Sequence, residues 1–112
     1  MISLLTPDEL NTSILEALDD KQAFDIKTYD MENRSSLSAY VIIASGQSSR
    51  QLAALADTLR QRFKPYLISL EGLTNCDWVI VDLGSTIVHL FRPDVRDFYE
   101  LDSLWDKHHH FQ

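Results

Sequence analysis

The stretch DWVIVDLGSTIVHLFRP, residues 77–93, decides the architecture. Two runs rich in β-branched and aromatic residues flank Gly84-Ser85-Thr86, so it reads as two strands joined by a tight turn. A connection this short forbids a crossover, so the strands run antiparallel and a purely parallel, doubly wound sheet is ruled out. Side chains alternate along each strand. Trp78, Ile80, Asp82, Ile87, His89 and Phe91 project to one side; Val79, Val81, Leu83, Val88 and Leu90 project to the other. Both sets are largely apolar, so the hairpin needs cover twice, from helices and from another chain. The face that mixes Trp, His and Asp suits a protein interface. A two-residue turn at Ser85–Thr86 would set Asp82 directly opposite His89. That pair is half of a nucleophilic triad, but no serine or cysteine completes it, and it reads as a structural pair.

Upstream, Thr6 with Pro7 and Glu9 forms a capping box, Leu5 and Leu10 occupy staple positions, and Leu10, Ile14 and Leu18 repeat every four residues. They predict a helix ending near Asp20–Lys21. FDIKTYDM alternates as a half-exposed strand, ENRSS interrupts it with Asn33 suited to a turn, and AYVIIAS is apolar throughout, as a central strand requires. Ser48 is the expected cap of a second helix, with Gln51 returning the bond to the cap backbone and Leu52, Leu55, Ala56, Leu59 and Phe63 as its buried stripe. Arg50, Asp57, Gln61 and Lys64 face away from that stripe, and Pro65 ends the helix. YLISLEG adds a strand. PDVRDFYELDSLW reads as a short apolar helical segment. The expected fold is α/β, a mixed sheet of about five strands flanked by helices, in one domain over residues 1–107, with 108–112 a flexible tail.

The strand, glycine turn and helix of YVIIASGQSSRQLAALADTLRQRF, residues 40–63, invite a nucleotide reading. ASGQSSRQ matches neither the dinucleotide nor the P-loop pattern and has no lysine for a phosphate. Asp77 and Asp82 sit five residues apart on opposite faces, too far to share Mg²⁺ for nucleotidyl transfer. An enzyme using the Gly46 turn is therefore the weaker alternative. Cofactor, metal and catalytic residues are all expected to be absent. His108, His109 and His110 point in different directions and make a poor metal site.

The formal net charge is −7 over 112 residues, which opposes general binding to a nucleic-acid backbone. The sign reverses locally: residues 31–70 carry five bases against Glu32 and Asp57. The single Cys76 permits no internal disulfide and fits a reducing compartment. The beginning lacks the pattern of a signal peptide and no run is long enough to span a bilayer, so a cytoplasmic protein is expected.

Several motifs in order, NRSSLSAYVIIASGQSSRQLAALAD, LEG, DWVIVDLGSTIVHLFRP and RDFYELDSLW, resemble the ribosomal silencing factor family, also called Iojap or RsfS. The likeness spans roughly residues 8–106. It implies an α/β fold related to nucleotidyltransferases but without their catalytic carboxylates. It also implies binding to the large ribosomal subunit through its protein fourteen, with little direct rRNA contact. Subunit joining would be blocked and translation lowered when nutrients are scarce. Organellar relatives are linked to large-subunit assembly, and several members form homodimers when free. By motif, Trp78 is the expected anchor on the ribosomal protein, with Asp82 and His89 shaping that surface and Arg50 contacting an acidic or phosphate group. Ser35, Ser36, Gly46, Ser48, Gly84, Phe98, Tyr99, Leu101 and Trp105 match as supports of the fold or the dimer. The chain departs from the family pattern at Ser85, Ala39 and Asn33.

Overall fold

The computed structural model describes residues 4–31 and 39–98, the side chain of Phe98 excepted. The expectations on Asn33, Ser35, Ser36, Tyr99, Leu101, Trp105 and the 108–112 tail lie outside the described residues. The element order is α1 (Pro7–Asp20), β1 (Phe24–Asp30), β2 (Tyr40–Ser45), α2 (Ser49–Arg62), β3 (Ser69–Glu71), β4 (Trp78–Asp82), β5 (Thr86–Phe91) and α3 (Pro93–Phe98), with a 3₁₀ turn at Lys64–Tyr66. The five strands form one sheet in the order β1-β2-β5-β4-β3. Only β2 and β5 pair in parallel; β1–β2, β4–β5 and β3–β4 are antiparallel. The sheet is mixed, as the short hairpin connection demands.

The local signals explain the elements. Thr6 Oγ1 accepts from the Glu9 N–H at 3.2 Å while Glu9 Oε1 accepts from the Thr6 N–H at 2.9 Å, so α1 starts on a complete capping box. At the two staple positions Leu10 is buried and Leu5 is exposed, and the Leu5 N–H donates to the Tyr66 hydroxyl. The Ser48 hydroxyl caps α2 by accepting from the Gln51 N–H. Gln51 Oε1 accepts from the Gln47 N–H at 2.6 Å, one residue before the cap, and its amide nitrogen donates to the carbonyls of Lys21 and Gln22. Gln51 thus ties the beginning of α2 to the end of α1. β3 is shorter than YLISLEG suggested: the 3₁₀ turn takes Tyr66, and the strand runs only from Ser69 to Glu71.

Leu10, Ile14 and Leu18 of α1 and Leu52, Leu55, Ala56 and Leu59 of α2 pack with Val79, Val81, Val88 and Leu90 in one core. Both helices therefore cover the same face of the sheet, and every residue of the expected α2 stripe is buried. A second, smaller cluster of Met31, Val41, Ile43 and Phe91 lies on the other face, with Trp78, Tyr29 and α3's Val95 against it.

Arg96 of α3 is buried, and Nη1 donates to Ser45 Oγ at 2.7 Å and to the Asp25 carbonyl at 2.8 Å. The β1–β2 register shifts between Phe24 and Lys27, and Asp25 has φ 49°. This bulge carries the carbonyl that Arg96 uses.

Thr86 is fully buried at the start of β5, and among the described residues its Oγ1 has no hydrogen-bond partner. A hydroxyl buried without a partner costs about 1–3 kcal/mol. Thr86→Val keeps the branched shape and removes that cost. We expect it to raise the urea midpoint, with a gain of about 1 kcal/mol; an unchanged or lower midpoint would contradict the unsatisfied hydroxyl.

Candidate functional site

The β4–β5 turn determines which side chains meet. Leu83 N–H donates to the Thr86 carbonyl, and Gly84 has φ +87°, so the loop residues are Gly84 and Ser85. Only the first of them needs the left-handed region, as in a type II′ hairpin. Thr86 is therefore a strand residue, and the expected Ser85–Thr86 turn is corrected. Asp82 pairs with Ile87, and His89 pairs with Ile80. The expected Asp82–His89 pair does not form. Asp82 Oδ1 instead accepts from the Gly84 N–H at 2.9 Å, which steadies the turn.

His89 has a different partner. The Trp78 indole Nε1–H donates to His89 Nδ1 at 3.0 Å. Trp78 stands directly across from Phe91, with ring centroids 5.1 Å apart and tilted by 45°. The rings of His89 and Phe91 lie nearly parallel, 6.1 Å between centroids. Trp78 is half-buried and Phe91 fully buried, so the indole rests on a rigid floor with part of its surface exposed. Ile80, Ile87, His89 and Asp82 continue this partly exposed face toward the turn.

Burial pushes the His89 pKa down to about 4, because the charged imidazolium loses its hydration. At neutral pH the ring is uncharged. Since Nδ1 accepts the indole proton, the ring's own proton sits on Nε2. The unfolded chain takes up this proton near the ordinary value of about 6.5. The folding contribution is thus complete above that value and lost as pH falls toward 4. We expect stability to drop by roughly 2 kcal/mol between pH 6.5 and 5. The drop should flatten in His89→Asn when urea midpoints are compared across that range; an equal slope in both proteins would assign it elsewhere.

The structure unites Trp78 and His89, sets Asp82 at the far end of the same strand, and leaves Arg50 in the helix layer. Arg50 is exposed on the first turn of α2, which packs on the opposite face. Gly46 is buried. Its N–H donates to the Phe91 carbonyl at 3.0 Å, and a Cβ there would lie 2.9 Å from Leu52 Cδ2. The glycine lets α2 pack closely on the end of β2, and its amide is not presented to a phosphate. Asp77 pairs with Arg92 at 2.9 Å. Among the described residues no three His, Cys, Asp or Glu side chains converge as a metal site, and no helix is long and apolar enough to cross a membrane.

Two contributors escaped sequence reasoning. Arg96 sits in a short apolar helical segment with no local signal of its own, and only the β1 bulge reveals its role. Gly72 has φ +92°, and a Cβ on it would lie 2.1 Å from the Trp78 carbonyl oxygen. The LEG motif was the available signal: glycine permits the backbone of the preceding loop to pass against the residue that carries the indole.

A family model described as "Ribosomal silencing factor during starvation" matches residues 5–112. The chain is 45% identical over 102 residues to the ribosomal silencing factor RsfS of Zymomonas mobilis, covering 88% of this chain and 77% of that one. It is 33% identical over 99 residues to a Mus musculus protein named mitochondrial assembly of ribosomal large subunit protein 1, covering 82% of this chain and 43% of that one. A crystal structure of a Chromobacterium violaceum protein superimposes with a TM-score of 0.85 at 34% identity, covering 91% of this chain and 88% of that chain.

Proposed function

The chain belongs to the ribosomal silencing factor family, and from that premise we propose that it represses translation in the cytoplasm by binding the large ribosomal subunit through its protein fourteen. The observation that carries this reading is the half-buried Trp78 on its Phe91 floor, on the sheet face away from α1 and α2. A rigid aromatic that keeps exposed surface is what an interface anchor requires. Ile80 and Ile87 extend it with apolar area, and His89 and Asp82 supply a polar margin. The net charge of −7 favours a basic protein partner over rRNA.

The mechanism is steric. A specific interface buries about 1,600 Å² in total, and a domain held over the intersubunit face keeps the small subunit from docking. No chemical step is needed in this reading. When free, the protein forms a homodimer in this reading. The name of the mouse relative favours large-subunit assembly as a second reading.

Sedimentation with isolated large subunits tests the proposal. The protein is expected to pellet with them, and small subunits added afterwards are expected to yield few complete ribosomes. Failure to pellet would overturn the binding reading. Pelleting without inhibition of joining would favour the assembly role.

A further inference from the structure

We infer that His89 is a positioning residue for recognition: by accepting the Trp78 indole N–H it fixes the ring as a plate whose partner meets its apolar surface rather than its hydrogen-bond donor. The inference rests on the proposed binding role for its consequence, and on geometry for its content.

Trp78 begins β4 and lies diagonally across from His89, a separation that long aromatic side chains bridge on a sheet face. An indole on a strand end, held only by packing, samples several rotamers, and association then has to freeze them. Two contacts at different points of the ring system remove that freedom. Phe91 supports the ring from beneath at 5.1 Å, and His89 Nδ1 holds its N–H at 3.0 Å. A ring fixed at both points keeps one orientation.

The acceptor also has to stay an acceptor. A carboxylate at position 89 would accept the proton but bring a charge onto a largely apolar face. A charged imidazolium has no acceptor nitrogen. The partly buried site keeps His89 neutral, and its plane lies within 10° of Phe91, so one side chain supplies the lone pair and completes the stack.

The partner chemistry follows. With the N–H satisfied inside the protein, the exposed part of Trp78 offers carbon and π surface. The matching partner group is an aliphatic side chain or the stem of a basic one, not a carbonyl or carboxylate acceptor.

A double-mutant cycle separates this role from simple packing. His89→Phe keeps a ring on Phe91 and loses the acceptor. Trp78→Phe keeps a ring at position 78 and loses the donor. His89→Asn retains an acceptor near the position of Nδ1. We expect His89→Phe and Trp78→Phe each to weaken binding to large subunits about tenfold, and the double variant to be no weaker than either. We expect His89→Asn to recover most of the loss. Additive losses in the cycle, or no recovery with Asn, would overturn the inference.

A second readout is independent of the ribosome. The indole proton of Trp78, observed by NMR and assigned with a Trp105→Phe variant, should exchange with solvent at least tenfold faster in His89→Phe and near the wild-type rate in His89→Asn. Equal exchange in all three proteins would also overturn it. If the wild type does not bind large subunits, the proposed function fails by itself, and the exchange rates alone decide whether His89 holds Trp78.

Discussion

Trp78→Ala leaves a folded protein that no longer pellets with large ribosomal subunits: that is the expected result. The indole belongs to the smaller apolar cluster and lies outside the main core of α1, α2 and the sheet. Its loss removes the contact with Phe91 and leaves His89 without its donor. A stability cost of about 2 kcal/mol follows, below the 3–5 kcal/mol of a wholly buried aromatic. Binding suffers more, since truncating a central aromatic anchor costs at least about 2 kcal/mol, a loss of thirtyfold or more. A circular dichroism melt beside the sedimentation assay separates the two effects. Retained pelleting by a folded Trp78→Ala protein would move the interface off this face. Arg50→Ala locates the boundary: Arg50 lies in the other layer, so binding should stay within about threefold of wild type, and a larger loss would extend the interface to the helices.

Gly72→Ala is expected to be the most damaging substitution for the fold. At φ +92° an alanine pays about 1–2 kcal/mol for the left-handed region alone. Its Cβ would also lie 2.1 Å from the Trp78 carbonyl oxygen and 3.1 Å from Val79 Cα, both backbone atoms of the strand next door. Relief demands movement of the chain and not of a rotamer. A total loss of at least about 3 kcal/mol is expected, against the 5–15 kcal/mol that usually holds a domain together. Gly84→Ala supplies the comparison. Its φ is +87°, but the nearest heavy atom to its Cβ is Ile68 Cδ1 at 3.7 Å, so it should lose only about 1–2 kcal/mol. Urea midpoints of the two variants test the difference; equal values would show that the close approach at Gly72 relaxes freely.

Much of the fold was legible because its signals are local. The Thr6–Glu9 box, the Leu52–Phe63 stripe and the alternation along 78–91 each involve residues within a few positions, and each marks an element present in the structure. The turn register was harder. Moving the loop from Ser85–Thr86 to Gly84–Ser85 displaces the partner strand by two residues. Because side chains repeat every two, both registers put Trp78, Asp82 and His89 on one face. The face was therefore readable while the partners on it were not, and His89 gains Trp78 instead of Asp82. The reach of Arg96 to Asp25 and Ser45 depends on a bulge in a distant strand. No local pattern carries such information.

The parallel seam between β2 and β5 has a kinetic consequence. β1 with β2, and β3 with β4 and β5, are two antiparallel ribbons whose strands meet through nearby chain. Among the described residues the six paired positions of the seam are the only ladder between the ribbons, and α2, β3 and β4 intervene in the chain between its two strands. Each ribbon closes a short loop, whereas the seam closes a long one and bears the larger entropic penalty before any contact rewards it. The two ribbons are therefore expected to dock edge to edge last. Until they do, the edges of β2 and β5 present unpaired amides and carbonyls, so it is the newly made chain, rather than the finished one, that most needs protection from its neighbours.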